Sequence, residues 1–334
     1  MELEVLSVLS GRKKEQWTAL LRRAKLEPDE NMERIALLWE DGHLAATGSR
    51  QGNLLKCIAV DDVHQGEGLT AMLITALRQD AFANRIDHLF LYTKPGNAMQ
   101  FSSLFFYPIA KTKDVLLMES KRNGITHFLS NLPAPGTGAV IGSAVMNCNP
   151  FTLGHRYLIE QAARTCDWLY VFVLSEDKSE FSAQDRMAMV QLGTADLPNV
   201  TVLPTGPYLI SSATFPTYFL KDKTNVSAIH CSLDVEVFLR HFVPRFGINR
   251  RYVGTEPLSP VTNAYNQVLK DLLPPAGVEL REFARRELDD APISASRVRA
   301  LLREGNLEEL RALVPDTTWN YLQDHGLLTG KEPL

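Results

Sequence analysis

Cysteine is scarce in this chain and scattered. The four cysteines, Cys57, Cys148, Cys166 and Cys231, lie far apart in 334 residues, and none forms a CxxC pair. This spacing argues against a disulfide framework and against structural zinc, and it points to a reduced, cytoplasmic setting. Basic blocks are missing as well: 35 Lys+Arg stand against 39 Asp+Glu, a formal net charge of −4. A general nucleic-acid binder would show a basic patch, so no nucleic-acid partner is expected. No apolar run reaches the ~20 residues that cross a bilayer. The opening MELEVLSVLSGRKKEQW lacks the basic-then-apolar layout of a signal peptide, so no membrane partner is expected either. Long-period repeats and low-complexity segments are also lacking, which sets aside solenoids and linker-like chains.

What remains is ordinary globular composition, 45% apolar and 22% charged, at a length that suits two domains. Residues 1–130 read as an α+β domain. Short strands flank an Asp41-Gly42 hairpin signal, and an amphipathic helix follows Gly66 and Gly68. The stretch SNLPAPGTG is rich in Pro and Gly, and 131–138 is the expected linker. From 139 to 334 strands and helices alternate, the pattern of a Rossmann-like parallel sheet with helices on both faces. Val226–Cys231 is expected to be one of these strands, followed by a helix over Val235–Phe242. Ligands of such sheets bind beyond the carboxyl ends of the strands.

The second domain opens on AVIGSAVMNCNPFTLGHRYLIEQAA, Ala139–Ala163. It reads as a buried strand, a polar turn and the first turns of a helix. A helix N-terminus offers unpaired N–H groups and partial positive charge, which suits phosphate. Thr152 and His155, three residues apart, share one helix face, and Gly154 leaves its backbone open to a ligand. A later stretch, Pro292–Arg299 (PISASRVR), places Ser294, Ser296 and Arg299 at another helix start. Hydroxyls, free N–H groups and a guanidinium there would seat a polyphosphate. Taken alone, each stretch is commonplace.

Together, TLGH (Thr152–His155) and ISASRVR (Ile293–Arg299) resemble the paired signatures of the nucleotidyltransferase superfamily. MNCNPFTLGH (Met146–His155), FSAQDR (Phe181–Arg186), ISSATFPTYFLK (Ile210–Lys221) and VGTEPLSPVTNAYN (Val253–Asn266) narrow that resemblance to the citrate lyase ligases. The resemblance covers almost the whole chain. It implies an N-terminal acetyltransferase-like (GNAT) domain followed by a nucleotidyltransferase-like adenylating domain. It also implies ATP, Mg²⁺ and acetate as reactants. The implied partner is a citrate lyase acyl-carrier subunit bearing a CoA-like prosthetic group. Thr152 and His155 are then the catalytic residues at the α-phosphate. Asn149, Phe151, Gly154, Lys178, Gly254, Glu256, Ser294, Ser296 and Arg299 are the implied ATP-binding set. The chemistry implies a metal whose ligands the sequence does not mark.

Several positions admit two readings. Lys178 either reaches the phosphates or is a solvated loop lysine. Glu256, followed by Pro257, either meets the ribose or belongs to a turn. Ser211–Lys221 either forms the acetate pocket or a lid. For Arg186 the favoured reading is a structural one, pairing with Asp185 or packing. In the first domain, Gln65, Gly66 and Gly68 match the pyrophosphate loop of N-acetyltransferases, whereas Thr70 stands where a small residue is usual. A direct N-acetyltransferase is therefore disfavoured, and Gln65–Gly68 are candidates for holding the carrier's prosthetic group. The rival readings are an adenylyltransferase acting on a phosphorylated precursor, and a carrier-protein binding or regulatory module whose acetyltransferase-like half works alone, without ATP.

Overall fold

The structure is a computed structural model. It describes all residues except 30, 134–135, 178, 211–222, 256–259, 289–290 and 329–334. Two compact units divide the chain: Met1–His127 grouped with a helix that ends at Val237, and Phe128–Ser211 grouped with Phe238 onward.

The first unit is a seven-stranded sheet. Its strands are β1 (Glu2–Leu6), β2 (Arg34–Glu40), β3 (His43–Gln51), β4 (Leu54–Val60), β5 (Phe90–Thr93), β6 (Tyr107–Lys111) and β7 (Leu116–Glu119), in the order β1-β2-β3-β4-β5-β7-β6. Asp41 and Gly42 both take positive φ, as a two-residue hairpin between β2 and β3 requires. Helix α1 (Gly11–Arg23) buries Trp17, Leu20 and Leu21 on one face against Ile35, Leu37 and Leu44. Helix α2 (Leu69–Ala83) and the short α3 (Ala98–Ser103) cover the other face, with Leu73 and Leu77 against Leu38, Leu55 and Leu91. Strands β4 and β5 are parallel and pair only through Leu54↔Phe90 and Leu55↔Leu91. Beyond that point a cleft of about 560 Å³ is lined by Ile58–Val60 of β4 and by Tyr92 and Thr93 of β5. This is the expected acetyltransferase-like α+β domain.

Helix α4 (Gly124–Ser130) spans the division between the units. The second unit is a five-stranded, wholly parallel sheet. β8 (Ile141–Met146), β9 (Trp168–Val173), β10 (Val200–Pro204), β11 (Arg250–Gly254) and β12 (Glu279–Phe283) lie in the order β10-β9-β8-β11-β12. One face carries Ala144, Met146, Val171 and Val173, packed with Ile159 of α5 (Leu153–Ala163) and Met189 of α6 (Ala183–Thr194). On the other face Tyr170 and Phe172 meet Phe246, and Phe172 also meets Phe242 edge-on.

The expected strand at Val226–Cys231 is instead part of a helix, α7 (Lys223–Val237), which groups with the first unit. A short apolar run fits either element, and here Cys231, Asp234, Val235 and Phe238 are buried at the i, i+3, i+4, i+7 spacing of a helix face. A π-helical turn over Phe238–Phe242 leads into α8 (Val243–Phe246). Helix α9 (Pro260–Leu272) follows β11. After β12 come the short hairpin strands β13 (Glu287–Leu288) and β14 (Ala291–Pro292). Helices α10 (Ala295–Glu304), α11 (Leu307–Leu313) and α12 (Asp316–Asp324) end the described chain.

Candidate active site

The strand order reverses around β8, which has β9 on one side and β11 on the other. The crevice at the carboxyl ends of β8 and β11 is therefore the topological switch point, where ligands of such sheets bind. A cavity of about 220 Å³ opens there. Thr152, Gly154 and His155 after β8, Gly254 ending β11, and Ser294 before α10 all line it.

Thr152 is the N-cap of α5 and is almost fully buried. Its Oγ accepts from the His155 N–H at 3.3 Å, and its own N–H donates to Nδ1 of His155 at 3.1 Å. This is a capping box in which histidine takes the place usual for Glu or Gln. Because Nδ1 is an acceptor, the ring proton of the neutral imidazole is assigned to Nε2. The half-buried ring stacks on Phe151, with centroids 6.0 Å apart. Removal from water lowers the His155 pKa to about 4, and the positive charges of Arg285 and Arg299 push it the same way. The group at this helix start is thus a neutral N–H donor at pH 7.

Gly154 has a role that spacing alone did not reveal. A Cβ built on it would lie 2.7 Å from the backbone oxygen of Ile293. The absent side chain lets the Ile293–Arg299 stretch come against α5. Ser294 caps α10, with Oγ accepting from Arg297 N–H at 3.2 Å. Arg299 donates to the Asn149 carbonyl at 2.5 Å and to Ser296 Oγ at 3.2 Å. The two signatures are therefore joined twice, at Gly154–Ile293 and at Asn149–Arg299.

Not every expected residue lines the cavity. Asn149 lies behind it, its side-chain oxygen accepting from Phe181 N–H at 3.0 Å. Phe151 is in the core, packed where a side chain at Gly193 would otherwise sit. Ser296 and Arg299 lie beside the cavity rather than in its lining. Lys178, Glu256 and Ser211–Lys221 lie outside the described residues.

Three arginines that the sequence reading did not single out, Arg251, Arg285 and Arg286, also line the cavity. Arg251 is buried on β11 with its guanidinium 4.7 Å over the Phe238 ring. Arg285 Nε donates to the Thr255 carbonyl at 2.7 Å. The signal for Arg285 and Arg286 was their place directly after β12, at the same sheet edge as the Thr152 turn. Tyr265 and the buried Asn266, which donates to the Gly254 carbonyl at 3.1 Å, complete the wall on the α9 side.

In the first unit, Gln65, Gly66 and Gly68 line the cleft between β4 and β5. Gly66 and Gly68 have φ of +90° and +78° with no atom within 4 Å of a built Cβ, so conformation rather than space demands glycine. Gln65 donates to Asp62 at 2.7 Å, and the buried Thr70 accepts from Gln100 at 3.1 Å.

Residues 141–322 match the family of citrate lyase ligase C-terminal domains. The chain is 44% identical over 308 residues to the citrate (pro-3S)-lyase ligase of Klebsiella pneumoniae, covering 90% of each chain. It is 39% identical over 313 residues to the enzyme of the same name from Escherichia coli K12, covering 91% of this chain and 88% of that one. A phosphopantetheine adenylyltransferase of Symbiobacterium thermophilum is 39% identical, but over only 67 residues, 20% of this chain and 41% of that one. Matches that run through both units at this identity leave one assignment: the chain belongs to the citrate lyase ligase family.

Proposed function

We propose that the protein is an ATP- and acetate-dependent ligase that acetylates the prosthetic-group thiol of the citrate lyase acyl-carrier subunit. One observation carries this reading: two signature stretches some 140 positions apart meet around one cationic cavity, with a neutral histidine donor at its helix start. In the first step a carboxylate oxygen of acetate attacks the α-phosphorus of ATP. The bond to the β-phosphate breaks, giving acetyl-adenylate and pyrophosphate. In the second step the carrier thiolate attacks the acetyl carbon, and AMP leaves with the electron pair of the broken C–O bond.

His155 donates through Nε2–H to the α-phosphate as charge builds there, and Thr152 holds its ring in that tautomer. A preorganised donor of this kind is worth roughly 3 kcal/mol. Ser294, Ser296 and Arg299 receive the β- and γ-phosphates, and Gly154 and Gly254 leave room for the adenosine. Arg251, Arg285 and Arg286 make the lining cationic, which suits a carboxylate and a triphosphate together. The described lining of the cavity contains no Asp or Glu, and no cluster of metal ligands occurs among the described residues. A protein-built metal cage does not fit this lining; Mg²⁺ would be held by the nucleotide's own phosphate oxygens and water.

The division of labour follows residues 1–130 and 139–334, with 131–138 between them. In the first region the open loop at Gln65, Gly66 and Gly68 suits the pyrophosphate of the carrier's CoA-like group. Acetate-dependent ATP–pyrophosphate exchange, with AMP and an acetyl thioester formed once the thiol carrier is added, is the test. Exchange that proceeds without acetate would instead mark an adenylyltransferase, the reading to which the short phosphopantetheine adenylyltransferase match belongs.

A further inference from the structure

Arg186, on the first turn of α6, is fully buried, and the reading of it as a partner of Asp185 does not hold. Asp185 bonds instead to Ser182 and to the Tyr321 hydroxyl. The Arg186 guanidinium makes five hydrogen bonds. Nε donates to the Phe181 carbonyl at 3.1 Å. One terminal nitrogen donates to the Asn147 carbonyl at 3.1 Å, the Asn147 side-chain oxygen at 2.6 Å and the Leu174 carbonyl at 2.8 Å. The other donates to the Glu176 carbonyl at 2.5 Å.

Every one of these acceptors is neutral. Carboxylates at Asp177 and Glu176 act on Arg186 only through space, and burial pulls its pKa below the ordinary arginine value. Arg156, which fastens α5 to the end of α6, makes a useful contrast, because it pairs with both Glu160 and Asp196. The fold thus supplies carboxylates where an arginine only fastens, and withholds them from Arg186. A buried cation held by neutral carbonyls is retained at a cost that an anion nearby would offset.

The place of that cation gives it a task. Asn147 directly follows β8, and Leu174 and Glu176 follow β9, so one side chain ties together the carboxyl ends of two central strands. Phe181, whose carbonyl Arg186 holds, donates its N–H to Asn149, and the Asn149 carbonyl receives Arg299. The turn held in this way runs into Thr152.

We propose that Arg186 is a positioning residue for the polyphosphate of the nucleotide. It fixes the Asn147–Asn149 turn that orients Arg299 and Thr152, and its charge, which meets no carboxylate directly, is offset when the triphosphate binds. This rests on the reading of the cavity as an ATP site.

The decisive substitution is Asn147→Asp, which would put a carboxylate on the oxygen that already accepts from Arg186 and so neutralise the cation in place. The expected result is an unliganded protein that melts at or above the wild-type temperature. The KM for ATP should rise at least tenfold, the KM for acetate should stay within twofold, and the rise in melting temperature on adding ATP should fall by half or more. Arg186→Lys keeps the charge but loses the fork; it should also raise the KM for ATP while leaving that for acetate. A purely structural role would change the unliganded melting temperature alone. Wild-type KM for ATP and a wild-type ATP-induced shift in Asn147→Asp would therefore overturn the proposal. The ATP-induced shift needs no acetate. If the wild-type protein showed it but gave no acetate-dependent exchange, the ligase reading would fail while the role of Arg186 stood.

Discussion

Adding a single methyl group at position 154 should separate the two halves of the active site. In the Gly154→Ala variant the new carbon would meet the Ile293 oxygen at 2.7 Å, and Ile293 Cβ and Thr152 Oγ at 3.5 Å. The nearest of these is a backbone atom and cannot rotate away. Ile293 is buried and its N–H is bonded to the Arg286 carbonyl at 3.0 Å, so the strain falls on the approach of the whole 293–299 stretch. Restoring ordinary contact needs a shift of roughly 0.7 Å or more, and overpacking of this kind costs about 1–3 kcal/mol. Alanine's helix propensity works the other way by up to ~1 kcal/mol, so any net loss reports the clash. For a chain of this size the melting temperature should fall by on the order of 2–10 °C. Displacements approaching 1 Å cost about a hundredfold in rate, so acetate-dependent ATP–pyrophosphate exchange should drop by about 10- to 100-fold. Gly254→Ala is the control. Its Cβ would meet only Arg285 Cγ, at 4.0 Å, and its melting temperature should not move. If Gly154→Ala kept wild-type exchange and stability, the claim that this glycine joins the signatures would be wrong.

Three further outcomes follow from the same geometry. His155 should titrate near pH 4, not 6.5, in an NMR titration of its ring. Since its folded pKa lies below the unfolded value, its contribution to stability is complete above about pH 6.5 and is lost as pH falls toward 4, by at most about 3 kcal/mol; a midpoint near 6.5 would refute the removal of the ring from water. Thr152→Val removes the cap and should cost about 1 kcal/mol, measurable by urea unfolding, with a larger loss of exchange; Thr152→Ser should recover most of both, and equal behaviour of the two variants would count against the cap. In the first unit, Gly66→Glu and Gly68→Glu in protein shown to be folded should raise the KM for the carrier subunit while leaving ATP–pyrophosphate exchange intact. An unchanged carrier KM would remove that loop from the reaction.

Much of the second domain was legible because its signals are local. The strand ending at Met146 and the helix starts near Thr152 and Ser294 follow from residue types within one turn, whereas the capping role of Thr152 did not. The acetyltransferase-like sheet was legible for the same reason, from the Asp41-Gly42 turn and the glycines before α2. What escaped depends on distant neighbours. The cationic wall of Arg251, Arg285 and Arg286 exists only because β11 and β12 lie beside β8, and strand order is not written in any one strand. The need for glycine at 154 comes from a carbonyl 139 positions later, and the acceptors of Arg186 come from three separate segments. Helix α7 was misread because its apolar run is short enough to pass for a strand.

The histidine capping box carries a liability. Nδ1 of His155 receives the N–H of Thr152, and it is also the nitrogen that an added proton would occupy. A doubly protonated ring would turn a donor toward that N–H, leaving only Thr152 Oγ, at 3.0 Å, to accept from Nδ1. Acid would then do more than charge an imidazole: it would unfasten the first turn of α5 from the residue that starts it. Inactivation at low pH should therefore begin as fraying at the nucleotide end of one helix, with the sheet beneath it still intact.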